Sequence, residues 1–378
     1  MLMRSIQMVD LKQQYQKIKP EIDAAVSNVI ESCAFINGPQ VQSFVNNLAR
    51  YNGVNHVIPC ANGTDALQIA MMALGLQPGD EVITPSFTYI ATTEVIALLK
   101  LIPVFVDVDP KTFCIDPNAI QMAITPRTRA IVPVHMYGQA ANMEAIMQIA
   151  SANNLHVIED NAQSIGCDFY FSDGRTQKTG AIGTISTTSF FPSKNLGGFG
   201  DGGAIMTNDE ALANDLRMIA NHGQSKRYYH DIVGCNSRLD TIQAAVLDIK
   251  LKYLDEYINA RRAVADYYDA AFAGHPKVTT PFRSTYSRHV FHQYTLVLDG
   301  VDRNKLHDYL AERKVPSMIY YPVAAHQQKM FSHFNSSGIE LPVTDWLTER
   351  VISLPMHTEM DEAQLHFITS KVLEFINP

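Results

Sequence analysis

The feature that most constrains the fold is a regular alternation of short apolar runs with helical patterns between about residues 55 and 220. The runs are rich in consecutive valine and isoleucine, which is typical of parallel strands covered on both faces. Helix-like segments such as "DALQIAMMALG", "TTEVIALLK" and "NMEAIMQIASANN" separate them. Strand–helix–strand units repeated in this way form a doubly wound α/β sheet. The seven predicted strands are 56–60, 81–86, 102–109, 130–137, 156–160, 184–191 and 202–208.

The pattern changes in the second part of the chain. Residues 238–272 contain no glycine or proline and predict one long helix or two helices end to end. From about residue 280, strand-like "HQYTLVLDG" and helix-like "RNKLHDYLAERKV" and "EAQLHFITSKVLEFI" predict a smaller α/β domain. We therefore predict a large domain over residues 1–255, whose N-terminal segment can pack on the small domain, and a small domain over residues 256–378.

Composition and charge argue against several classes of protein. The 378 residues carry a formal net charge of −8 without a Lys/Arg block, so we expect no nucleic-acid partner, since phosphate contacts need clustered cations. The first residues lack an apolar signal core, and no run reaches the roughly 18 apolar residues of a membrane span. Five widely spaced cysteines predict free thiols in a reducing cytoplasm, and scattered histidines predict no metal site.

Ligands of open parallel sheets bind beyond the carboxyl ends of the strands, so the residues found there are the candidate site. The first strand is followed by "ANGTDALQIA", in which Gly63 and Thr64 begin a helix. The unpaired amides of a helix N-terminus can bind phosphate. A turn followed by an N-capped helix explains this pattern equally well.

Two adjacent carboxylates, Glu159 and Asp160, end the strand in "LHVIED". An acid at a strand end can cap the next helix. It can also be held in a dry site to pair with a buried cation, such as a protonated pyridine nitrogen. Both interpretations stay open at this point.

One lysine, Lys194, lies in "SFFPSKNLGGFGDGG" (189–203), a stretch with little helical character and almost no other charge. It is either a solvated loop lysine or a desolvated amine that loses its proton readily and attacks an aldehyde. Ser189 precedes it, and the glycines after it let the backbone pack close to a flat ligand. With an aromatic ring at Tyr89 near another strand end, these are the parts that pyridoxal 5′-phosphate (PLP) requires.

The chain resembles the StrS/DegT-type family of PLP-dependent nucleotide-sugar aminotransferases. This resemblance implies PLP-dependent transferase fold type I, with a seven-stranded, mostly parallel sheet in the large domain and a smaller C-terminal α/β domain. The motifs that carry it run in order through most of the chain: "NGTDAL", "GDEVITPSFTYIAT", "PVFVDVD", "VPVHMYGQ", "VIEDNAQS", "SFFPSKNLGGFGDGGAIMTND" and "NSRLDTIQAA".

The resemblance also implies a role for each matching residue. Lys194 would bind the coenzyme covalently and, once released, act as general base, while Asp160 would hold the protonated pyridine nitrogen. Asn236 would reach the phosphate across a dimer interface, which implies a symmetric homodimer with shared active sites. The other implied cofactor contacts are Gln163 at the phenolic oxygen, Tyr89 on the ring, and Gly63, Thr64 and Ser189 at the phosphate.

The substrates implied by the resemblance are L-glutamate as amino donor and a nucleotide-linked ketosugar as acceptor. "HGQSKRYYHD" and "SFFPSK" are most similar to enzymes that aminate C3 of UDP-2-acetamido-2-deoxy-3-oxo-glucuronate for cell-surface polysaccharide such as O-antigen. Arg238 would then pair with the sugar carboxylate, unless it only orders the interface. Tyr320, Tyr321 and His326 in "YYPVAAHQQ" would contact the substrate, although Tyr320 stands where a histidine is usual and "AA" replaces proline plus an aliphatic residue.

Three alternatives stay open. The first is a C3- or C4-aminotransferase of a neutral dTDP- or UDP-linked keto-deoxysugar. The second is a PLP-dependent sugar dehydratase, in which histidine replaces the lysine, so that Lys194 argues against it. The third is a non-enzymatic regulator with a retained fold, against which the intact Lys194, Asp160 and Ser189 argue.

Overall fold

The structure is a computed structural model that describes residues 4–332, 334 and 338–377. Short 3₁₀ turns lie at Met136–Gly138, Ala325–Gln327 and Lys329–Phe331. The strands are β1 (His56–Cys60), β2 (Glu81–Pro85), β3 (Ile102–Val106), β4 (Thr128–Ile131), β5 (His156–Asp160), β6 (Asp168–Tyr170), β7 (Thr176–Lys178), β8 (Ile185–Ser189), β9 (Gly203–Thr207), β10 (Gln224–Lys226), β11 (Tyr229–His230), β12 (Val278–Thr279), β13 (Tyr294–Leu298) and β14 (Val351–Leu354).

The helices surround the sheets, and most of them begin at a polar cap. The side chains of Asn62, Asn142, Asp209 and Asp302 accept hydrogen bonds from first-turn amides, and Asp361 forms a capping box with Gln364. The helices are α1 (Leu11–Ser32), α2 (Pro39–Asn52), α3 (Gly63–Ala73), α4 (Ala91–Leu98), α5 (Pro117–Ala123), α6 (Met143–Asn153), α7 (Glu210–Ile219), α8 (Thr241–Leu251), α9 (Leu254–Phe272), α10 (Arg303–Glu312), α11 (Pro342–Arg350) and α12 (Glu362–Ile376).

The predicted seven-stranded sheet is confirmed, with strand order β1-β9-β8-β5-β4-β2-β3. Strands β8, β5, β4, β2 and β3 are parallel, and β9 runs antiparallel to both of its neighbours. The fold is therefore the α/β class that the apolar runs predicted. The helical patterns after the first, second and fourth strands form α3, α4 and α6, and residues 238–272 form two helices, α8 and α9.

The predicted strand over residues 130–137 is wrong in its extent. Strand β4 ends at Ile131, and only a single bridge continues the ladder, between Val134 and Asp160. The ladder stops because Pro133 has no N–H to donate. The apolar run extends beyond the strand because these residues are buried, which is a separate condition from pairing.

Both faces of the sheet are covered, which explains the consecutive apolar residues. Val57, Ile83 and Val157 pack into one cluster with residues of α2 and α8, among others. The residues that follow Val57 and Val157 in the sequence, Ile58 and Ile158, pack into the cluster that contains α3, α4 and α7. Successive side chains of a strand point to opposite faces, so a strand buried on both sides must be apolar throughout.

The small domain contains the antiparallel sheet β12-β13-β14 with α9, α10 and α12 packed in one apolar cluster. Ile6 belongs to this cluster, and Arg4 forms an ion pair with Asp361 at 3.0 Å. The first described residues thus contact the small domain. The boundary between residues 255 and 256 stays a prediction. In the part of the chain that the structure describes, no helix has the length and apolarity needed to cross a bilayer.

Candidate active site

A cavity of about 770 Å³ lies at the carboxyl ends of the parallel strands. Its wall contains Tyr89 beyond β2, Asp160 at the end of β5 and Ser189 at the end of β8, together with Lys194. The structure therefore brings together the residues that follow separate strands of the predicted sheet, as expected for a doubly wound fold. The other predicted residues in the wall are Gly63, Thr64, Gln163, Tyr320 and Tyr321.

The start of α3 forms one end of the cavity. The Asn62 side chain accepts from the Asp65 amide at 2.8 Å, while the Gly63 and Thr64 amides, in the first turn, have no intrahelical acceptor. A Cβ atom on Gly63 would lie 2.8 Å from Cβ of Ser189, so only glycine allows the helix and β8 to approach this closely. The result is a cradle of backbone amides and a hydroxyl that suits an anion.

Asp160 is buried and its carboxylate is held from two sides. Its Oδ2 accepts from the Thr92 hydroxyl at 2.8 Å, and its Oδ1 accepts from the Ala162 amide at 3.1 Å. Thr92 is itself buried in α4 and lies 2.9 Å from the Thr88 hydroxyl. These contacts fix the carboxylate in the cavity wall without placing a cation beside it.

Glu159, the neighbour of Asp160, is directed away from the cavity. Its carboxylate is fully buried and accepts from amides of the segment 180–183 at 2.6–2.8 Å, and Nε2 of His135 lies 2.9 Å away. Strand alternation separates the two acids because successive side chains face opposite sides. Glu159 is therefore a structural anchor, and of the two carboxylates only Asp160 can meet a ligand in the cavity.

Replacing Glu159 by glutamine should lower the free energy of unfolding by about 3 kcal/mol at pH 7, because it removes a buried charge from a satisfied network. Burial opposes ionisation, but hydrogen bonds from His135 and from the Gly183 and Gly180 amides hold the pKa of Glu159 below its ordinary value. The contribution should thus be present above pH about 4.3 and be lost as the pH falls further. Urea denaturation of this variant and of the exposed control Glu31→Gln measures the difference; equal midpoints would contradict the anchor role.

Lys194 is partly buried in the loop after β8, and its ammonium makes no hydrogen bond or ion pair to any described residue. Burial lowers the pKa of Lys194 to about 8, against the opposite effect of Asp160. The loop is held by Lys250 of α8, a buried lysine whose Nζ donates to the Gly197 carbonyl at 2.5 Å. The amine is thus presented to the cavity with its proton weakly held.

Two tyrosines and a glutamine connect the cavity to the small domain. Oε1 of Gln163 accepts from the Tyr137 amide at 2.8 Å, and its Nε2 donates to the Tyr321 hydroxyl at 3.1 Å. The ring centroids of Tyr321 and Tyr89 are 6.2 Å apart. Tyr89 is 56% exposed and lies in the cavity wall, so part of its surface is open to a ligand.

Three predicted site residues lie outside the wall of this cavity. Asn236 is exposed and accepts from the Arg238 guanidinium at 2.5 Å, while Ser237 between them donates to Asp65 at 2.6 Å. Ser237 therefore holds this segment against α3, while its two neighbours lie outside the cavity wall. His326 is buried beside Ser86. Contact of these three residues with a ligand stays a prediction.

The comparisons with known proteins agree with this geometry. A family model described as the DegT/DnrJ/EryC1/StrS aminotransferase family matches residues 16–373. The chain belongs to this family. It is 46% identical over 363 residues to "UDP-2-acetamido-2-deoxy-3-oxo-D-glucuronate aminotransferase" of Pseudomonas aeruginosa, with 96% of this chain and 98% of that protein covered.

The similarity to further relatives and solved structures covers nearly the whole length of this aminotransferase. "Pleiotropic regulatory protein" of Geobacillus stearothermophilus is 43% identical, with 98% of each chain covered. The crystal structure of NtdA from Bacillus subtilis with its bound cofactor PMP is 33% identical, covers 96% of this chain and 82% of that one, and superposes with a TM-score of 0.89. The protein is a PLP-dependent sugar aminotransferase.

The cavity fits PLP. The amides at the start of α3 and the Ser189 hydroxyl suit its phosphate, the carboxylate of Asp160 suits a protonated pyridine nitrogen, and Lys194 supplies the amine. The close approach of Gly63 to Ser189 is the observation that decides this, since it brings the helix N-terminus and a hydroxyl together in the same wall as the lysine. No group of three or more His, Cys, Asp or Glu side chains among the described residues is arranged for a metal ion.

The side chains of this aminotransferase that the sequence interpretation missed include Thr92 and His292. Thr92 orients Asp160, and the buried His292 lies in the cavity wall. Burial, and then the charges of Lys194 and Arg261, lower the pKa of His292 well below its ordinary value, so a neutral imidazole lies in the wall that also contains the lysine. The two histidines in "HVFHQY", just before an apolar strand, were the available signal, but nothing in the sequence relates them to residue 194.

Proposed function

We propose that this aminotransferase transfers the amino group of L-glutamate to C3 of UDP-2-acetamido-2-deoxy-3-oxo-glucuronate. The product would serve the synthesis of cell-surface polysaccharide such as O-antigen, in the cytoplasm. The Pseudomonas aeruginosa relative of that name, 46% identical along nearly the full length, supports the choice of sugar. The observation that carries the proposal is the guanidinium of Arg238, which has no acidic partner among the described residues and is thus available to a uronate carboxylate.

The chemistry follows from where the side chains lie. PLP, when bound, supplies an electron sink that stabilises negative charge at the amino-bearing carbon. We assign to Lys194 the covalent attachment of the coenzyme and the movement of the substrate proton, because its lowered pKa leaves part of the amine neutral. Asp160 keeps the pyridine nitrogen protonated. Our further assignments are Gly63, Thr64, Ser189 and Asn236 to the phosphate, Tyr89 to the ring face, Gln163 to the phenolic oxygen, and Tyr320 and Tyr321 to the substrate.

A second copy of this chain is the partner we propose, with active sites shared between the two. Large apolar side chains are exposed: Phe191, which lies in the cavity wall, is 52% exposed, and Ile36 is also 52% exposed. The segment before Asn236 carries Tyr228, 77% exposed, and Val233, 84% exposed. Such surfaces are rarely left in water, and a symmetric dimer that covers them can bring Asn236 and Arg238 of one copy to the cavity of the other.

Replacing Arg238 by alanine should lower kcat/KM for the 3-oxo-uronate by about 30- to 100-fold, since it leaves a carboxylate unpaired at the site. The same variant should lose less than about threefold with a neutral UDP- or dTDP-ketosugar of similar size, because no carboxylate is then present. The matched control is Arg217→Ala, an exposed arginine on α7. Steady-state kinetics with L-glutamate and this panel of sugars measures the ratio.

Equal losses for the uronate and the neutral sugar would contradict carboxylate pairing and leave Arg238 an interface residue. NMR of the aminated product distinguishes C3 from C4 amination. A preferred neutral substrate, or a C4 product, would overturn the choice of sugar while leaving the aminotransferase activity untouched.

A further inference from the structure

Three hydrogen bonds join the segment after Tyr321 to the end of β2. The Ala325 amide donates to the backbone oxygen of Ser86 at 2.9 Å, and the His326 amide donates to Oγ of Ser86 at 3.0 Å. The same Oγ lies 2.7 Å from Nδ1 of His326. Ser86 is 0% and His326 is 6% exposed, so the pair is shielded from water.

The surroundings determine which nitrogen of His326 carries the proton. Nε2 lies 3.6 Å from a carboxylate oxygen of Asp345, which favours a proton on Nε2. Nδ1 is then an acceptor, and the Ser86 hydroxyl donates to it while accepting from the His326 amide. Ser86 and His326 thus satisfy each other completely only when the imidazole is neutral.

The charge state of this imidazole is set by few groups. Burial lowers the pKa of His326, and the carboxylates of Asp345 on α11 and of Asp107 after β3 act in the opposite direction. The ring therefore stays neutral near pH 7. Protonation of Nδ1 would reverse the hydrogen bond and leave the hydroxyl proton of a fully buried serine without an acceptor.

The two joined segments both supply the wall of the active-site cavity. Ser86 lies three residues before Tyr89, and His326 lies five residues after Tyr321. The Tyr321 ring packs 6.1 Å from Phe87 and 6.2 Å from Tyr89, and its hydroxyl accepts from Gln163. A connection at Ser86 and His326 therefore fixes the position of Tyr320 and Tyr321 relative to Tyr89.

We propose that His326 is a positioning residue that acts through Ser86 to hold Tyr320 and Tyr321 in the cavity wall, and that it does not touch the substrate. The proposal rests on the aminotransferase activity and goes beyond the proposed sugar, since it concerns how the wall is assembled. It replaces the expectation that His326 is a direct contact.

The test compares Ser86→Ala, His326→Ala, the double variant and His326→Asn in the full chain. An asparagine oxygen can take the place of Nδ1 and accept from Ser86, so His326→Asn should keep KM for the nucleotide sugar within about threefold. Ser86→Ala and His326→Ala should each raise this KM about tenfold with little change in kcat. The double variant should also raise KM by only about tenfold, because both single substitutions remove the same connection.

Two further readouts separate positioning from contact. The KM of the wild type should rise on the acid side of neutrality, and this rise should be absent in His326→Asn, whose side chain does not titrate. Hydrogen exchange of the protein without coenzyme should be faster over residues 320–327 in Ser86→Ala and His326→Ala but not in His326→Asn. The exchange experiment does not depend on the identity of the sugar, so it tests His326 even if the proposed substrate is wrong.

A matched control exists in the small domain. Nε2 of His275 lies 3.0 Å from Oδ1 of Asn377, a histidine contact between residues that are far along the chain from the two joined segments of the cavity wall. His275→Ala should leave KM unchanged. A large effect of His326→Ala without one of Ser86→Ala, a failure of His326→Asn to restore KM, or additive losses in the double variant would each overturn the proposal in favour of direct contact.

Discussion

Replacing Lys194 by alanine is expected to abolish turnover, with a loss of at least about 10⁴-fold, while the protein stays folded. The side chain is partly buried but has no hydrogen-bond or ion-pair partner among the described residues, so its removal leaves no group unsatisfied. With a pKa of about 8, about one amine in four is neutral at pH 7.5, against about one in a thousand for an ordinary lysine. The chain thus keeps a nucleophile and proton carrier ready in the cavity wall. Lys250, whose pKa is also lowered to about 8 by burial, lies outside this wall and donates to the Gly197 carbonyl.

The measurement combines kinetics with covalent labelling. Borohydride reduction of the wild type with PLP should leave the coenzyme attached to the peptide that contains Lys194, and reduction of Lys194→Ala should leave none. The control is Lys12→Ala, an exposed lysine of α1, which should behave as the wild type. Attachment of the coenzyme to another lysine in active Lys194→Ala enzyme would be incompatible with the assigned role.

Asp160→Asn should lower kcat about 10²- to 10⁴-fold, the equivalent of about 3–5 kcal/mol for breaking a buried pair of opposite charges. Asparagine is isosteric, its oxygen can still accept from the Ala162 amide and its NH2 can donate to the Thr92 hydroxyl, so the fold and the shape of the cavity are expected to persist. What it cannot do is keep a pyridine nitrogen protonated.

The matched control for this variant is Asp168→Asn, which removes the charge of a carboxylate paired with Lys178 at 3.0 Å, outside the cavity wall. Its kcat should stay within about threefold of the wild type. The absorbance of the bound coenzyme reports the protonation of its ring and should change only in Asp160→Asn. A kcat within tenfold of the wild type for Asp160→Asn would show that the acid does not hold the ring nitrogen.

Most of the sheet could be predicted because strands that are buried on both faces consist of consecutive apolar residues, a pattern that can be read in the sequence. All seven apolar runs became strands of the central sheet, and the errors lie at their ends, as at Pro133. The N-terminal helices α1 and α2 were not predicted. Their buried residues do recur at helical spacing, as with Ile18 and Ile22 in α1 and Val41, Phe44 and Leu48 in α2, so a local signal for both helices was present. Only their packing partner, such as Val246 of α8 for Ile18 and Ile22, depends on a contact distant in sequence.

The candidate site was predictable to the extent that each residue follows a strand. Lys194, Asp160, Ser189 and Tyr89 meet at one edge because the parallel strands that precede them all end there. Glu159 and Asp160 could not be separated by sequence, since both are acids at the same strand end. The pleat of β5 and the amides of the segment 180–183 decide which of the two faces the cavity.

The sequence by itself thus determined the α/β class, the order of the strands along the chain, and the lysine, carboxylate and glycine turn of the cavity. These properties depend on periodicity and on residue type, which are local. Only the tertiary structure decided that His326 bonds Ser86, that Thr92 holds Asp160 and that His292 and Lys194 line one cavity. Each of these pairs joins segments dozens of residues or more apart, and their meeting depends on how helices and strands pack, which no single stretch of sequence encodes.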